Sequence, residues 1–229
     1  YYGGAALIET TNAVIRRSVF VGNSASNQYG GALCYRTIST HTSQVANCVF
    51  RHNVANYGGA IATYNANLSV SNCTVYTNRA IAANGGGALH HTSASYTALV
   101  ENCIFWNNVG SAAPNAVYQP VGGGIGVSFS CVQGGMAGEE NVDGDPLFDD
   151  LVYLHLKSAS GVYRGGYFSG GTWGKADAMS PLIDLGHPNS AFELEPSHNG
   201  GRINLGAYGN TPVASKSLVP VASIFITIL

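Results

Sequence analysis

A Gly-Gly-Ala motif recurs through the first half of the chain, and its spacing constrains the fold more than any other feature. Successive copies begin 27, 28 and 28 residues apart. A period between about 20 and 50 residues is typical of solenoids, in which each repeat packs on its neighbours. The sequence therefore predicts stacked coils. The copies begin at Gly3, Gly30, Gly58 and Gly86, and a degenerate copy begins at Gly123.

A second motif alternates with the glycine pairs and defines five columns of equivalent positions. We take Ser18, Cys48, Cys73 and Cys103 as the reference position of each repeat. An aromatic or aliphatic residue follows this position by two residues, and asparagine follows it by five. An aliphatic residue precedes it by three, and asparagine or arginine by one. The columns are the cysteine column Ser18, Cys48, Cys73 and Cys103, the phenylalanine column Phe20, Phe50, Val75 and Phe105, the asparagine ladder Asn23, Asn53, Asn78 and Asn108, the aliphatic column Ile15, Val45, Val70 and Val100, and the corner column Arg17, Asn47, Asn72 and Asn102.

The spacing of these columns predicts a corner within each repeat. Side chains alternate faces along a strand, so the aliphatic and cysteine columns would point to opposite sides of an unbroken strand. Both columns are apolar, so we expect both to face the interior. Asparagine suits the corner because it tolerates the left-handed backbone region. The sequence thus predicts an all-β protein, a parallel β-helix (β-solenoid) of about five coils with an irregular β-rich C-terminal segment.

Stacking at about 4.8 Å brings equivalent side chains of successive coils into contact. We expect amide hydrogen bonds along the asparagine ladder and among Asn47, Asn72 and Asn102, as in cross-β assemblies. Cysteines and phenylalanines of their columns are expected to stack in the core, and the glycine pairs to supply bends where a Cβ would be too bulky.

At these columns the chain resembles the repeats of polymorphic outer-membrane proteins and related bacterial surface β-helices. The resemblance rests on motifs such as Gly59-Ala60-Ile61 and the Phe50 to Asn53 spacing, covers residues 1–135, and departs at Val75. It implies a right-handed parallel β-helix that is secreted and often adhesive.

Four motifs of the second half resemble the closing region of large secreted bacterial β-helix proteins. This similarity implies a location at the bacterial cell surface, and divides the chain into repeats (1–135), a closing region (136–218) and an apolar strand or truncated tail (219–229). The motifs are Asp145-Pro146-Leu147-Phe148, Leu154-His155-Leu156, the segment 180–186 and the segment 200–210.

Both ends of the chain suggest self-association. Tyr1 and Tyr2 open in mid-repeat, and an uncapped coil exposes unpaired strand groups to another chain. The final apolar run includes Ile224, Phe225 and Ile226, which favour a strand. It is shorter than the about 20 residues of a membrane-spanning helix, so no transmembrane span is predicted. Head-to-tail stacking into a fibre is one expected consequence.

The repeats carry few groups suited to catalysis. Glu9 and Glu101 are the only carboxylates before residue 138, whereas polysaccharide hydrolysis needs converging acids. His90 and His91 lack a matching Asp or Ser column. We therefore predict no catalytic or cofactor-binding residue and an extracellular structural or adhesive surface protein. The alternative is a polysaccharide-binding or polysaccharide-cleaving β-helix.

The acidic stretch after residue 138 offers a weak calcium site. Asp143, Asp145, Asp149 and Asp150 supply oxygen ligands, but not the spacing of a twelve-residue calcium loop. No metal is predicted, with Ca²⁺ as the open alternative. Glu195 is expected to face solvent.

The five cysteines are predicted to be buried free thiols rather than disulfides. Cys131 is assigned to the cysteine column, and Cys34 lies beside a glycine pair. No Cys-x-x-Cys pair indicates a metal site.

Tyrosines precede the glycine pairs at Tyr1, Tyr2, Tyr29 and Tyr57, and Asn84 takes that place in the fourth repeat. A stacked column of these rings would grip a glycan, pack against a second solenoid, or only stabilise the coil. The net charge of −2 gives no basic stripe for nucleic acid.

Overall fold

The computed structural model describes residues 2–9, 12–110, 117–118 and 124–218, with the backbone alone for residues 37–40. These residues form an all-β structure built from short strands. In chain order the strands are β1 (Ala6–Ile8), β2 (Val14–Arg16), β3 (Val19–Val21), β4 (Ser24–Tyr29), β5 (Leu33–Ala46), β6 (Val49–Arg51), β7 (Val54–Tyr57), β8 (Ile61–Ser71), β9 (Thr74–Tyr76), β10 (Arg79–Ala80), β11 (Leu89–His91), β12 (Ala98–Glu101), β13 (Ile104–Trp106), β14 (Val117–Tyr118), β15 (Ile125–Ser128), β16 (Cys131–Val132), β17 (Val162–Arg164) and β18 (Thr172–Gly174).

Three parallel sheets wind into a β-solenoid, which confirms the predicted fold class. The first sheet has the order β1-β5-β8-β11-β14, with β2 on β5 and β12 between β8 and β15. The second has the order β16-β13-β9-β6-β3, and the third β10-β7-β4. The solenoid has about four turns rather than five.

The corner column has the backbone conformation that its sequence predicts. The φ angles are 46° at Arg17, 50° at Asn47, 48° at Asn72 and 54° at Asn102. This left-handed step lets the aliphatic and cysteine columns both face inward, since it breaks the alternation of a single strand. Phe129 takes the same conformation one coil later, with φ 46°.

The interior is a continuous apolar core made from the inward-facing columns. Val45, Cys48, Phe50 and their equivalents in the next coils are fully buried. The Phe20 and Phe50 rings stack with their centroids 4.8 Å apart, which is the spacing of adjacent parallel strands.

The asparagine ladder forms a chain of amide hydrogen bonds through four coils. Each side-chain nitrogen donates to the next side-chain oxygen, at 2.8 Å from Asn23 to Asn53, 2.8 Å from Asn53 to Asn78 and 2.9 Å from Asn78 to Asn108. The same oxygens also accept the backbone N–H groups of the preceding ladder residues. The turn after the second sheet is therefore held by side chains as well as by strand pairing.

The C-terminal region, which comprises residues 136–218, packs along the outer face of the second sheet. Val49 and Ile104 point outward from that sheet and contact Tyr208 and Leu205 of the C-terminal region in two buried clusters. The region consists mostly of turns, with the antiparallel pair β17 and β18 as its one regular sheet among the described residues. The second sheet is thus covered on both faces.

Two asparagines of the corner column bond to the C-terminal region, contrary to the predicted ladder. The Asn47 amide donates to the carbonyls of Ala207 and Gly209 at 3.0 and 2.8 Å. Asn102 accepts the His187 N–H at 2.7 Å. The third, Asn72, has a buried side-chain oxygen without a hydrogen-bond partner. The left-handed corner turns these side chains outward, so they face the covering segment.

Cys131 lies one position beyond the cysteine column, so its predicted place was wrong. Its register partner is Ile104, and the column position belongs to Ser130, whose hydroxyl accepts the Cys103 N–H at 3.0 Å. Cys131 faces outward into the apolar contact with Leu205. All five cysteines are buried free thiols.

Glu195 is buried, although its sequence predicts a solvated position. It is 6% exposed, and its Oε1 accepts the backbone N–H groups of Asn204 and Asn210, both at 2.9 Å. Burial raises the pKa of this carboxyl to about 7. The side chain therefore organises the turns of the C-terminal region from inside.

The described residues contain no helix that is long and apolar enough to cross a membrane.

Candidate functional site: an aromatic column

Five rings from successive coils form an aromatic column along one edge of the solenoid. The centroids of neighbouring rings lie 5.7, 4.8, 5.0 and 4.5 Å apart. All rings except the buried one in the fourth coil are half-buried, so their outer parts reach solvent. In order along the edge, the rings belong to Tyr2, Tyr29, Tyr57, His90 and Tyr118.

Small side chains on the first sheet make room for the tyrosines. Cys34 and Ala62 are register partners on β5 and β8, and His90 and Tyr118 continue the same row on β11 and β14. The residue before the fourth glycine pair is Gly85, which has no ring to contribute. His90 fills the gap from the strand itself, so the column continues through the fourth coil.

The prediction that Asn84 takes the place of the tyrosine in the fourth coil is wrong. Asn84 instead lines a cavity of about 300 Å³ beside the column, together with Tyr57 and Thr92. The sequence signal for His90 was the register that follows from the Gly-Gly-Ala spacing, because this register aligns His90 with Cys34 and Ala62.

An ion pair flanks the first rings of the column. Arg36 lies over the Tyr2 ring, with its guanidinium carbon 5.0 Å from the ring centroid. Its Nε donates to Glu9 Oε1 at 3.0 Å. Cationic and anionic groups therefore lie beside an aromatic surface, which combines stacking with hydrogen bonding.

Burial favours the uncharged forms of three groups at the column, Tyr29, Cys34 and His90. It raises the pKa of Tyr29 above its ordinary value and that of the Cys34 thiol to about 12. Desolvation, with a smaller contribution from the neighbouring His91, lowers the pKa of His90 to about 4. The Tyr29 and His90 rings are therefore neutral at neutral pH.

We expect acid to destabilise the fold through His90. Its pKa is about 4 when folded and 6.5 ordinarily, so the unfolded chain binds a proton first as pH falls. The contribution of neutral His90 to the free energy of unfolding is fully present above pH 6.5. About 3 kcal/mol of this contribution is lost as the pH falls toward 4. His90→Phe keeps the stacked ring and removes this titration.

Urea unfolding across that pH range tests this prediction. The loss of unfolding free energy on acidification should be about 3 kcal/mol smaller in His90→Phe than in the unaltered protein. Parallel pH profiles for the two proteins would show that His90 is not the group responsible.

His91, the neighbour of His90 on β11, points into the protein and not into the aromatic column. The His91 ring is fully buried; its Nδ1 contacts the Thr63 hydroxyl, and its Nε2 lies 3.0 Å from the Tyr96 carbonyl oxygen. Its strand neighbour His90 belongs to the aromatic column. The two rings are thus held by different surroundings.

Three of the four calcium candidates have partners within the chain. Asp145 and Asp150 accept backbone N–H groups of the turns that follow them, at 2.9 Å from Leu147 and 2.7 Å from Val152. Asp149 forms a two-point ion pair with Arg164 at 2.6 and 2.7 Å. In the part of the chain that the structure describes, no three His, Cys, Asp or Glu side chains are grouped to hold a metal ion.

The assembly candidates divide between described and undescribed positions. Tyr2 begins the aromatic column. Tyr1, Ile224, Phe225 and Ile226 lie outside the described residues.

Comparisons of the chain with models of known protein families, with curated proteins and with solved structures give no match.

Proposed function

We propose that this protein is an extracellular adhesive protein of a bacterial surface, and that the aromatic column is its contact surface. The observation that carries the proposal is the unbroken row of rings through successive coils. The row presents a tyrosine at the spacing of the strands in every coil except the fourth, where the buried His90 fills the row. Such a repeating surface suits binding to an extended partner. Outward rings supply a large apolar contact with little loss of side-chain entropy.

Two further features support this proposal. The C-terminal region covers the outer face of the second sheet, and the asparagine ladder links the turns of successive coils, so the coils that carry the column are held together by packing and by side-chain hydrogen bonds. The Gly-Gly-Ala and Phe-x-x-Asn repeats also resemble those of secreted bacterial β-helices that are often adhesive.

Retention on coated surfaces tests the proposed role. We expect the purified protein to be retained on at least one surface coated with mucin, chondroitin sulfate or cellulose. The double variant Tyr29→Leu, Tyr57→Leu should be retained at least about tenfold less, since it removes two central rings, each worth on the order of 1 kcal/mol in stacking. Trp173→Leu removes an exposed ring outside the column and should bind like the unaltered protein.

Two results would overturn the proposal. Equal retention of the double variant and the unaltered protein would show that the aromatic column takes no part in adhesion. New reducing ends or unsaturated sugars released from a coated polysaccharide would favour the alternative, a polysaccharide-cleaving enzyme.

A further inference from the structure

A second cavity lies between the second sheet and the C-terminal region, and it shares no lining residue with the cavity at the aromatic column. Its volume is about 340 Å³, near the lower end of the range for small-molecule sites. Its walls combine aromatic rings with polar groups. The residues that matter here are Tyr76, Trp106, Asn107, Asp145, Phe148 and Lys157.

The apolar wall of this cleft comes from both the solenoid and the C-terminal region. Tyr76 and Trp106 are register partners on β9 and β13, so their side chains leave the same face of the second sheet. Phe148 of the C-terminal region meets the Tyr76 ring edge-on, with centroids 5.6 Å apart. The Trp106 indole is half-buried and therefore offers part of its surface to a ligand.

The rim of the cleft carries hydrogen-bonding groups of both kinds. Asp145 is exposed, and its Oδ1 accepts the Leu147 N–H at 2.9 Å, which fixes the orientation of the carboxylate. Lys157 Nζ lies 3.1 Å from Asp177 Oδ1, whose side chain is 84% exposed. Such an exposed pair is weak, so the ammonium group remains available to a ligand.

We propose that this cleft binds a single neutral hexose unit. A pyranose has an apolar face of C–H groups that packs on an aromatic ring, and hydroxyls that both donate and accept hydrogen bonds. Asp145 accepts, Lys157 donates, and the amide of Asn107 does both. The carboxylates and the ammonium leave no excess of positive charge for an anion, and the size of the cleft fits one sugar unit.

Tryptophan fluorescence provides a direct test, because the chain has two tryptophans. In a Trp173→Phe background the remaining signal comes from Trp106. Titration with glucose, galactose, mannose and N-acetylglucosamine should give a saturable change for at least one sugar, with a dissociation constant on the order of 1 mM for a ligand of this size. The absence of a saturable change with all four sugars would overturn the proposal.

Two rim variants separate specific binding from a general effect. Lys157→Met keeps the aliphatic stem and Asp145→Asn keeps the side-chain oxygen, and each should weaken binding about tenfold by loss of a charge-assisted hydrogen bond. Lys175→Met changes an exposed lysine outside the cleft and should bind normally. Unchanged affinity in both rim variants would refute the site. The Tyr29→Leu, Tyr57→Leu protein should retain hexose binding, so the outcome is independent of the adhesive role.

Discussion

Asn78→Ala should lower the free energy of unfolding by about 4 kcal/mol, because it leaves several buried polar groups without partners. The Asn78 side-chain oxygen accepts both the backbone and the side-chain N–H of Asn53, at 3.0 and 2.8 Å. Its nitrogen donates to the carbonyls of Phe50 and Tyr76, at 3.0 and 3.1 Å. No water reaches these groups to replace the lost bonds, since Asn78 is fully buried.

Asn23→Ala is the matched control for this prediction. Asn23 belongs to the same ladder, but it is half-buried and lies in the first described coil. Its removal leaves the Asn53 oxygen bonded to the Asn23 backbone N–H at 2.9 Å, so we expect a loss of no more than about 1 kcal/mol. Urea unfolding followed by circular dichroism measures both variants. Similar losses for the two would show that burial of the ladder does not determine its contribution.

Gly59→Ala should destabilise the protein by about 3 kcal/mol or more, because the added methyl group enters the backbone of the next coil. A Cβ at this position would lie 2.2 Å from the Gly87 carbonyl oxygen and 2.5 Å from the Arg79 nitrogen. A Cβ at Gly4 or Gly31 would lie equally close to the carbonyl oxygen of the equivalent glycine in the following coil. This contact explains the glycine at this position in every repeat. Strand pairing fixes the distance between coils, so neither backbone can move away without losing hydrogen bonds.

Gly144→Ala provides the contrasting case for the same substitution. No atom lies within 4 Å of a Cβ added there, and the alanine reduces the entropy of the unfolded chain. We expect unfolding free energy to stay constant or to rise by about 0.5 kcal/mol. Equal destabilisation by Gly59→Ala and Gly144→Ala in urea unfolding would contradict the tight coil-to-coil contact.

The periodic half of the fold follows from the sequence because stacking repeats each constraint in every coil. Asparagine in the corner column, inward apolar columns and paired glycines each indicate one local feature, and together they predict a parallel solenoid. The position of His90 follows from the same register. Its role as a ring of the aromatic column escaped the sequence interpretation because it lies on the strand, whereas the tyrosines precede the glycines.

The C-terminal region was harder to place because its motifs have no repeat to set a register. One signal was present in the second sheet. Val49 and Ile104 alternate with inward residues such as Phe50, so both faces of these strands are apolar. Strands apolar on both faces indicate a sheet that is covered on both sides. Trp106 lies on this outward face of the second sheet, so its cleft with the C-terminal region was not predicted either.

The distance between spin labels at positions 14 and 99 tests the stacking of coils most directly. Val14 and Leu99 are exposed and belong to one outward row, in which Val14 pairs with Gln44, Gln44 with Ser69 and Ser69 with Leu99. Three strand spacings give a separation of about 14 Å for residues far apart in the sequence. Electron paramagnetic resonance of cysteine-substituted, labelled protein should show strong dipolar broadening. Spectra equal to the sum of the two single-label spectra would contradict the solenoid.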